Sequence, residues 1–554
     1  MDFLDARRLT GPNLCCNGPG SILDISCQPD QVETVHHVWR QCIEIAATDM
    51  GWPLITHMLP LEGGVSLVFE VPIDALYAAS AVNEWAWRCI SEGRVRDFSE
   101  ARAGVSKELA EEQNAALTEL QSAAAKNNCT FLWDDDEVSL GMGRYAASWP
   151  ATGIPSVTDL DFSTFDDVPL GIVTGTNGKT TCTRLASFIL GRAGFKAGVS
   201  CTDWLAVDDQ IIDRGDWSGP GGARTILRQK NVDAAILETA RGGLLRRGLG
   251  VDHADAAVIT NIAEDHLGDF GSGTLDELLE IKWIVSRAVQ DNGTLILNAD
   301  DVRLVERANN YPGRIVWFSL DSSSAVIESH VKASNTAFFL EDGDIVVMKE
   351  HQRFLLCAET AVPITMGGAA KHNTANVLAA AALTHAMGVS LDDIASALSD
   401  FAPDKNPGRC NLYDVHGVQV LVDFAHNPHA MSALFNMAQA LPAGRRLLAF
   451  GQAGDRPDQS IRELSRSAWE IGLDAVFVSE LAEYHRGREH GEVYQLIRNE
   501  LVSAGAEPGS IHHFELETDA LGEALQWAES GDLIIMLALG ARDAILESLR
   551  DAAS

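Results

Sequence analysis

The sequence predicts an α/β protein in three parts: a phosphate-loop parallel-sheet domain over 161–405, a second α/β domain over 406–554, and an α+β unit over 1–160. Three observations support this. Strand-like and helix-like segments alternate from 161 onward, which is the mark of a parallel sheet with crossover helices. An apolar run at 168–173 breaks into Gly175-Thr-Asn-Gly-Lys-Thr180, and a helical pattern then runs through Leu185, Phe188 and Ile189. Asn406-Pro-Gly408 interrupts the alternation and marks a boundary between two sheets.

In the N-terminal unit a helix is expected over 32–50, with Val35, Trp39, Ile43 and Ile45 as apolar positions, then a strand over 65–71 and a helix over 73–90. The Ala-, Glu- and Gln-rich stretch 98–126 reads as one long helix. A strand over 130–133 runs into Asp134-Asp-Asp-Glu137, read as a solvated turn, and 148–155, with Pro150, Gly153 and Pro155, reads as a linker. Central strands are expected at 170–174, 234–237, 256–261, 294–298 and 315–318, with a helix over 275–289. Residues 323–362 suggest a small antiparallel insert, followed by helices at 374–387 and 391–401. The last domain should have strands at 418–423, 447–451, 475–478, 512–514 and 533–537.

Composition narrows the function. The 554 residues carry a formal charge of −36, which argues against nucleic acid as the main partner, because phosphate binding needs a basic surface. No apolar run is long enough to span a bilayer and the N-terminus has no signal-peptide pattern, so a cytoplasmic protein is expected. The ten cysteines are scattered without a C-x-x-C pair, and Cys15 and Cys16 are adjacent, so reduced thiols are expected.

The chemistry concentrates at predicted strand ends. Gly175 and Gly178 let backbone N–H groups of Thr176, Asn177 and their neighbours approach phosphate oxygens, and the helix N-terminus adds its positive dipole end. Lys179 can reach the β- and γ-phosphates of a nucleotide, and the Thr180 hydroxyl can ligate Mg²⁺. The loop is shorter than G-x-x-x-x-G-K-[ST], since Val173 stands where the first glycine would be. Glu238 ends the next strand, where it can hold Mg²⁺ or be a surface carboxylate. Arg241 can clamp an anion or form a surface ion pair. His266, with Asp265 behind it, can ligate a metal or be structural.

With those residues in view, 171–554 resemble the Mur ligase superfamily, and within it the Mur-like half of cyanophycin synthetases. The resemblance rests on Thr174-Gly-Thr-Asn-Gly-Lys-Thr-Thr181, Gly215-Asp-Trp-Ser-Gly-Pro220, Glu238-Thr-Ala-Arg-Gly-Gly243, Asp265-His-Leu-Gly268 and Leu297-Asn-Ala-Asp-Asp301. It continues through His372-Asn-Thr-Ala-Asn376, Asp423-Phe-Ala-His-Asn-Pro428, Gly454-Asp-Arg456 and Arg486-Gly-Arg488. It implies a Mur ligase central domain, a Rossmann-like C-terminal domain, and ATP and Mg²⁺ as cofactors. By resemblance, Gly175, Thr176, Asn177, Gly178, Lys179, Thr180 and Thr181 form the phosphate loop, and Thr180, Glu238 and His266 are metal ligands. Asn298, His372 and Asn373 would contact adenine, and Arg409 and Asp423 would approach the nucleotide. Lys282 sits where many relatives carry a carbamylated lysine, an ordinary helix-surface lysine being the alternative.

The implied reaction is ATP-dependent amide formation through an acyl phosphate, with Lys179, Glu238, His266, Lys282 and Arg241 as the catalytic set. The substrates implied are an amino acid, with arginine a candidate, and a carboxylate or Asp-containing peptide acceptor. A ligase of another amino-acid or folate-like substrate stays open. So does a non-catalytic subunit partnering a separate ATP-grasp protein, because the ATP-grasp domain that cyanophycin synthetases carry ahead of the Mur-like half is not evident between the N-terminal unit and 171. The resemblance also implies a homo-oligomer.

Overall fold

The computed structural model describes residues 1–61, 63–265 and 273–553. The chain forms two compact units: Met1–Phe339 with Val346–Phe354 and Val377–Ile394, and Leu340–Ile345 with Leu355–Asn376 and Ala395–Ser554. The α/β class holds in both.

The first unit opens with a four-stranded antiparallel sheet in the order Asp2–Leu9, Gly20–Ser26, Gly64–Glu70, Thr56–Leu61. Helices Val32–Met50 and Leu76–Glu92 bury Trp39, Cys42, Ile43, Val82 and Trp85 against Leu23, Ile25, Leu67 and Phe69 of that sheet. Asn83 accepts the Trp39 indole N–H at 2.9 Å, so this buried polar pair is satisfied. The first strand carries Asp2, Asp5, Arg7 and Arg8, which hides it from a hydropathy reading. Arg7 is nevertheless buried, paired with Asp24 and donating through Nε and Nη2 to Leu245 O at 3.1 and 2.9 Å.

Two expectations fail in this region for identifiable reasons. The single helix over 98–126 is two, Ser99–Glu112 and Ala115–Lys126. Asn114 leaves the helical region and caps the second, accepting from Leu117 N at 3.1 Å while its amide donates to Ala151 O at 2.8 Å. The supposed linker contains the strand Ala147–Pro150, paired antiparallel to Glu137–Leu140 in a three-stranded sheet with Phe131–Trp133. The acidic turn is less free than expected: Arg228 binds Asp134 and the Glu137 carbonyl, and Arg8 binds Asp135.

The main sheet of this unit runs in the spatial order Gln210–Arg214, Trp204–Val207, Ala197–Ser200, Ala234–Glu238, Leu170–Thr174, Ala254–Ile259, Val289–Asn298, Arg314–Ser319. From Ala197–Ser200 onward neighbours are parallel. Leu170–Thr174 is therefore central, with Ala234–Glu238 on one side and Ala254–Ile259 on the other. Carboxyl ends of adjacent parallel strands share one rim, which is where such sheets hold ligands. The stretch expected as an insert at 323–362 joins this sheet, since Ala337–Glu341 lies parallel to Arg314–Ser319. The expected helix over 275–289 stops early. Thr274 and Glu277 form a capping box at its start, Leu275–Trp283 is α-helical, Ile284–Arg287 tightens to a 3₁₀ turn, and Val289 already begins a strand.

In the second unit the sheet order is Asn411–Val415, Val418–Asp423, Leu533–Leu537, Arg446–Phe450, Ala475–Ser479, Ile511–Phe514. Only the first pair is antiparallel. Alternate residues supply two cores. Leu421, Leu448, Phe450, Leu533, Ile535 and Leu537 face helices Pro428–Ala440, Asp458–Trp469 and Glu492–Ser503, whereas Val420, Val422, Leu447, Ile534 and Met536 face Glu517–Trp527 and Arg542–Ala553. All ten cysteines are free thiols. Among the described residues no helix is long and apolar enough to cross a membrane.

Candidate active site

Leu170–Thr174 is buried throughout, and its chain leaves the sheet at Gly175. Gly175 has φ +145°, and a Cβ there would lie 1.8 Å from Thr260 Oγ1, so only glycine fits. Gly178, at φ +84°, caps the helix Lys179–Arg192. The next strand end braces the loop: Thr176 N donates to Asn261 O at 2.9 Å, Asn177 N to Asn261 Oδ1 at 3.0 Å, and Thr260 Oγ1 to Asn177 O at 2.6 Å. A Gly175→Ala substitution is expected to cost about 2–3 kcal/mol through overpacking and backbone strain, read as a lowered urea midpoint without change in slope.

Beside this loop the strand Ala234–Glu238 delivers its last side chain. Glu238 is 1% exposed, so it is not a surface carboxylate. Thr180 Oγ1 donates to Glu238 Oε1 at 3.2 Å, Thr202 Oγ1 to the same oxygen at 2.6 Å, and Thr202 N to Oε2 at 3.1 Å. A hydroxyl at a helix start and a carboxylate at a strand end thus converge from two adjacent strands, a hard-oxygen pair suited to Mg²⁺. Thr181 is buried in the same first turn. Lys179 Nζ donates to Thr176 O at 2.9 Å, folding back along the loop.

Lys282 is also buried, at 3% exposure, which removes the reading of an ordinary helix-surface lysine. Its Nζ donates to Gly175 O at 2.8 Å. Burial, then the nearby positive charge of Lys179, hold its ammonium well below the usual lysine range. Arg241 pushes the same way and Asp265 opposes. Arg241 opens the short helix Arg241–Arg247 after Glu238. Lys179 and Arg241 therefore bring positive charge to a loop that has no room for a side chain at Gly175, with the buried amine of Lys282 held beneath it. This cradle fits a polyphosphate and its Mg²⁺.

The remaining expected residues divide. Asn298 ends its strand near the loop, donating through Nδ2 to Thr260 O at 3.0 Å and accepting from Asp300 N at 2.9 Å. His372, Asn373, Arg409 and Asp423 belong to the second unit, where they cluster. His372 Nε2 lies 3.2 Å from Cys410 Sγ, and burial lowers its pKa. Asp423 accepts from Cys410 N at 2.8 Å and Ala425 N at 2.7 Å, Asn373 donates to Ile364 O at 2.9 Å, and the Arg409 guanidinium lies 4.4 Å from the centre of the Phe424 ring. His266 lies outside the described residues. Sequence reasoning did not single out Thr202, Thr260 or Asn261. Thr202 follows the four-residue strand Ala197–Ser200, too short to stand out, whereas Thr260 and Asn261, expected as the last residues of a strand, lie just beyond its end at Ile259.

Comparison with known proteins identifies the family of both sheets. Residues 173–384 match the Mur ligase middle domain, and 408–540 match the glutamate ligase domain of Mur ligases. A cyanophycin synthetase of Nostoc sp. is 34% identical over 411 residues, covering 72% of this chain and 45% of the relative. The chain thus spans about half the length of the curated cyanophycin synthetases it matches. A UDP-N-acetylmuramoyl-L-alanyl-D-glutamate–2,6-diaminopimelate ligase of Bacillus velezensis is 24% identical over 380 residues, covering 66% of this chain and 72% of the relative. The structure of E. coli FolC in complex with DHPP and ADP shares the fold, at a TM-score of 0.50 and 20% identity over 70% of this chain and 89% of that one. With its phosphate loop opening the first matched region and the second sheet filling the other, the chain belongs to the Mur ligase family.

Proposed function

We propose that this chain is an ATP-dependent amide ligase that activates a carboxylate as an acyl phosphate and joins it to the amine of an amino acid. The carrying observation is the convergence of Thr180 and Glu238 beside the glycine loop, with Lys179, Lys282 and Arg241 around it. Mg²⁺ bound by Thr180 and Glu238 would supply charge neutralisation at the phosphate oxygens. The chain's own contribution is electrostatic. Lys179 and Arg241 offset the repulsion between a substrate carboxylate and the γ-phosphate, so that a carboxylate oxygen can bond to phosphorus as ADP leaves. The amine then attacks the acyl carbon and releases phosphate.

A second role for Lys282 follows from its burial. A lysine held neutral can react with CO₂ to form a carbamate. The positive charges of Lys179 and Arg241 would stabilise that anion and let it serve as a further carboxylate ligand. The similarity to cyanophycin synthetases favours an Asp-containing acceptor with arginine as the amine donor, and the net charge of −36 is compatible with a basic substrate. His266 and Asn298 are proposed for metal and adenine, and His372, Asn373, Arg409 and Asp423 for the nucleotide.

The test is ADP release from the purified chain with Mg²⁺ATP, assayed against a panel of amino acids and Asp-containing peptides. Release that requires both a carboxylate and an amine, with a new amide bond found by mass spectrometry, is the expected result. Absence of release with every pair, and in the presence of a separate ATP-grasp protein, overturns the ligase reading and favours a non-catalytic subunit.

A further inference from the structure

The adjacent cysteines near the N-terminus have no part in the site above, yet the fold gives one of them two polar neighbours. Cys16, His57 and Glu70 each offer one ligand atom, and these atoms all lie within 4.8 Å of one another. Cys16 is on the loop between the first two strands, His57 on the edge strand Thr56–Leu61, and Glu70 at the end of Gly64–Glu70. The close approach depends on glycine. A Cβ on Gly18 would lie 2.5 Å from Glu70 Oε2, and Gly20 pairs directly with Glu70 across the sheet.

The three groups are held in place from behind. Asn13 is 2% exposed. Its Oδ1 accepts from Cys15 N and Cys16 N at 2.9 and 3.0 Å, and its Nδ2 lies 3.3 Å from Cys16 Sγ. That N–H would support a bound thiolate, although burial, the larger influence, holds the free thiol above its usual pKa. His57 Nε2 lies 2.7 Å from Glu70 Oε1, so a ring nitrogen and a carboxylate oxygen face the same point. An ordinary His–Glu pair on a sheet accounts for two of these residues. It does not account for a buried sulfur placed against both.

We propose that Cys16, His57 and Glu70 bind a divalent cation of the zinc class, with water in the fourth position. A thiolate, an imidazole and a carboxylate make a mixed set that suits zinc, whereas Mg²⁺ and Ca²⁺ prefer oxygen donors alone. Binding displaces the thiol proton, since the thiolate is the ligand form, and takes His57 as neutral imidazole and Glu70 as carboxylate. The ion clips the Cys16 loop to the hairpin that carries His57 and Glu70.

That loop is attached to the phosphate-loop neighbourhood. Arg287 donates to Asn17 Oδ1 at 2.9 Å and to Leu14 O at 3.1 Å, and it belongs to the 3₁₀ turn that continues the helix of Lys282. Thr10 N donates to Arg247 O at 2.8 Å, at the end of the helix that Arg241 begins. The ion is therefore structural, and it steadies two elements that carry residues of the candidate site.

Cobalt titration of the full chain tests this. The protein is stripped with a chelator, exchanged into metal-free buffer and titrated with Co²⁺. The expected result is one equivalent bound with a thiolate-to-cobalt charge-transfer band, displaced by Zn²⁺. The band should persist in Cys15→Ser and disappear in Cys16→Ser. Glu70→Gln, checked for folding by circular dichroism, should weaken Co²⁺ binding by at least about tenfold, and it decides the matter if Cys16→Ser does not fold. Cys182 and Cys201 lie near Glu238, so the source of any thiolate band matters. A wild-type chain without the band, a band that survives in Cys16→Ser, or Co²⁺ affinity unchanged in Glu70→Gln overturns the proposal.

Discussion

Replacing Glu238 with alanine is expected to lower ADP release by about 10²–10³-fold, the scale seen when one preorganised charged or polar group is removed from a transition state. The Mg²⁺ concentration needed for half-maximal release should rise as well, because Thr180 would lose its carboxylate partner. The fold should also suffer. Thr202 donates to Glu238 through both its hydroxyl and its backbone N–H, and loss of those half-buried hydrogen bonds costs about 0.5–1.5 kcal/mol each. Glu238→Gln separates the two effects. The amide keeps one acceptor oxygen and most of the stability but lacks the charge that holds the cation. If Glu238→Gln releases ADP within about threefold of the parent at saturating Mg²⁺, Glu238 is a structural acceptor and not a metal ligand.

Lys282 should produce the next largest effect, with a signature in pH. Its folded pKa is depressed by burial and by Lys179, while in the unfolded chain it titrates at the ordinary lysine value. Between those two values the unfolded state binds the extra proton. Stability of the metal- and nucleotide-free protein should therefore rise as pH increases through that window, and the contribution should be level above the unfolded value. Lys282→Met removes this component, so urea midpoints measured from neutral to alkaline pH should flatten relative to the parent. Activity should fall in the same variant. If a carbamate forms on Lys282, ADP release by the parent should drop after CO₂ is rigorously removed and recover with bicarbonate. Lys282→Ala should then be partly rescued by a small carboxylate such as acetate or propionate. An unchanged pH profile together with no response to bicarbonate would show that Lys282 acts only through its bond to Gly175 O.

The site was legible in unequal parts. Gly175, Gly178, Lys179 and Thr180 fall within one short segment, so loop and helix geometry make them one feature in any register, and the structure assembles them with the Gly175 carbonyl and Thr180 hydroxyl engaged. Glu238 was accessible because an apolar run ended in a carboxylate, a local cue. Its partner Thr202 was not, because it follows a four-residue strand and stands 36 positions from Glu238 in sequence. Lys282 marks the limit most clearly. A lysine on an amphipathic helix reads as exposed, and only the packing of Leu275–Trp283 against the phosphate loop turns it inward. The failed helix over 98–126 has a similar cause: composition favours helix across Gln113 and Asn114, yet the Asn114 amide has a tertiary partner in Ala151 O.

What the sequence determined alone was periodic or contiguous: the longer parallel strands of the two main sheets, the turn that forms the phosphate loop, and the α/β class. These depend on interactions between residues close in the chain, or on burial patterns that repeat every two or four positions. What only the tertiary structure decided was proximity across long separations: Thr202 on Glu238, Lys282 on Gly175, and Cys16 beside His57 and Glu70. Sheet order and loop packing set those meetings, and a linear pattern of hydrophobic and polar residues does not encode which distant polar groups will share a buried pocket.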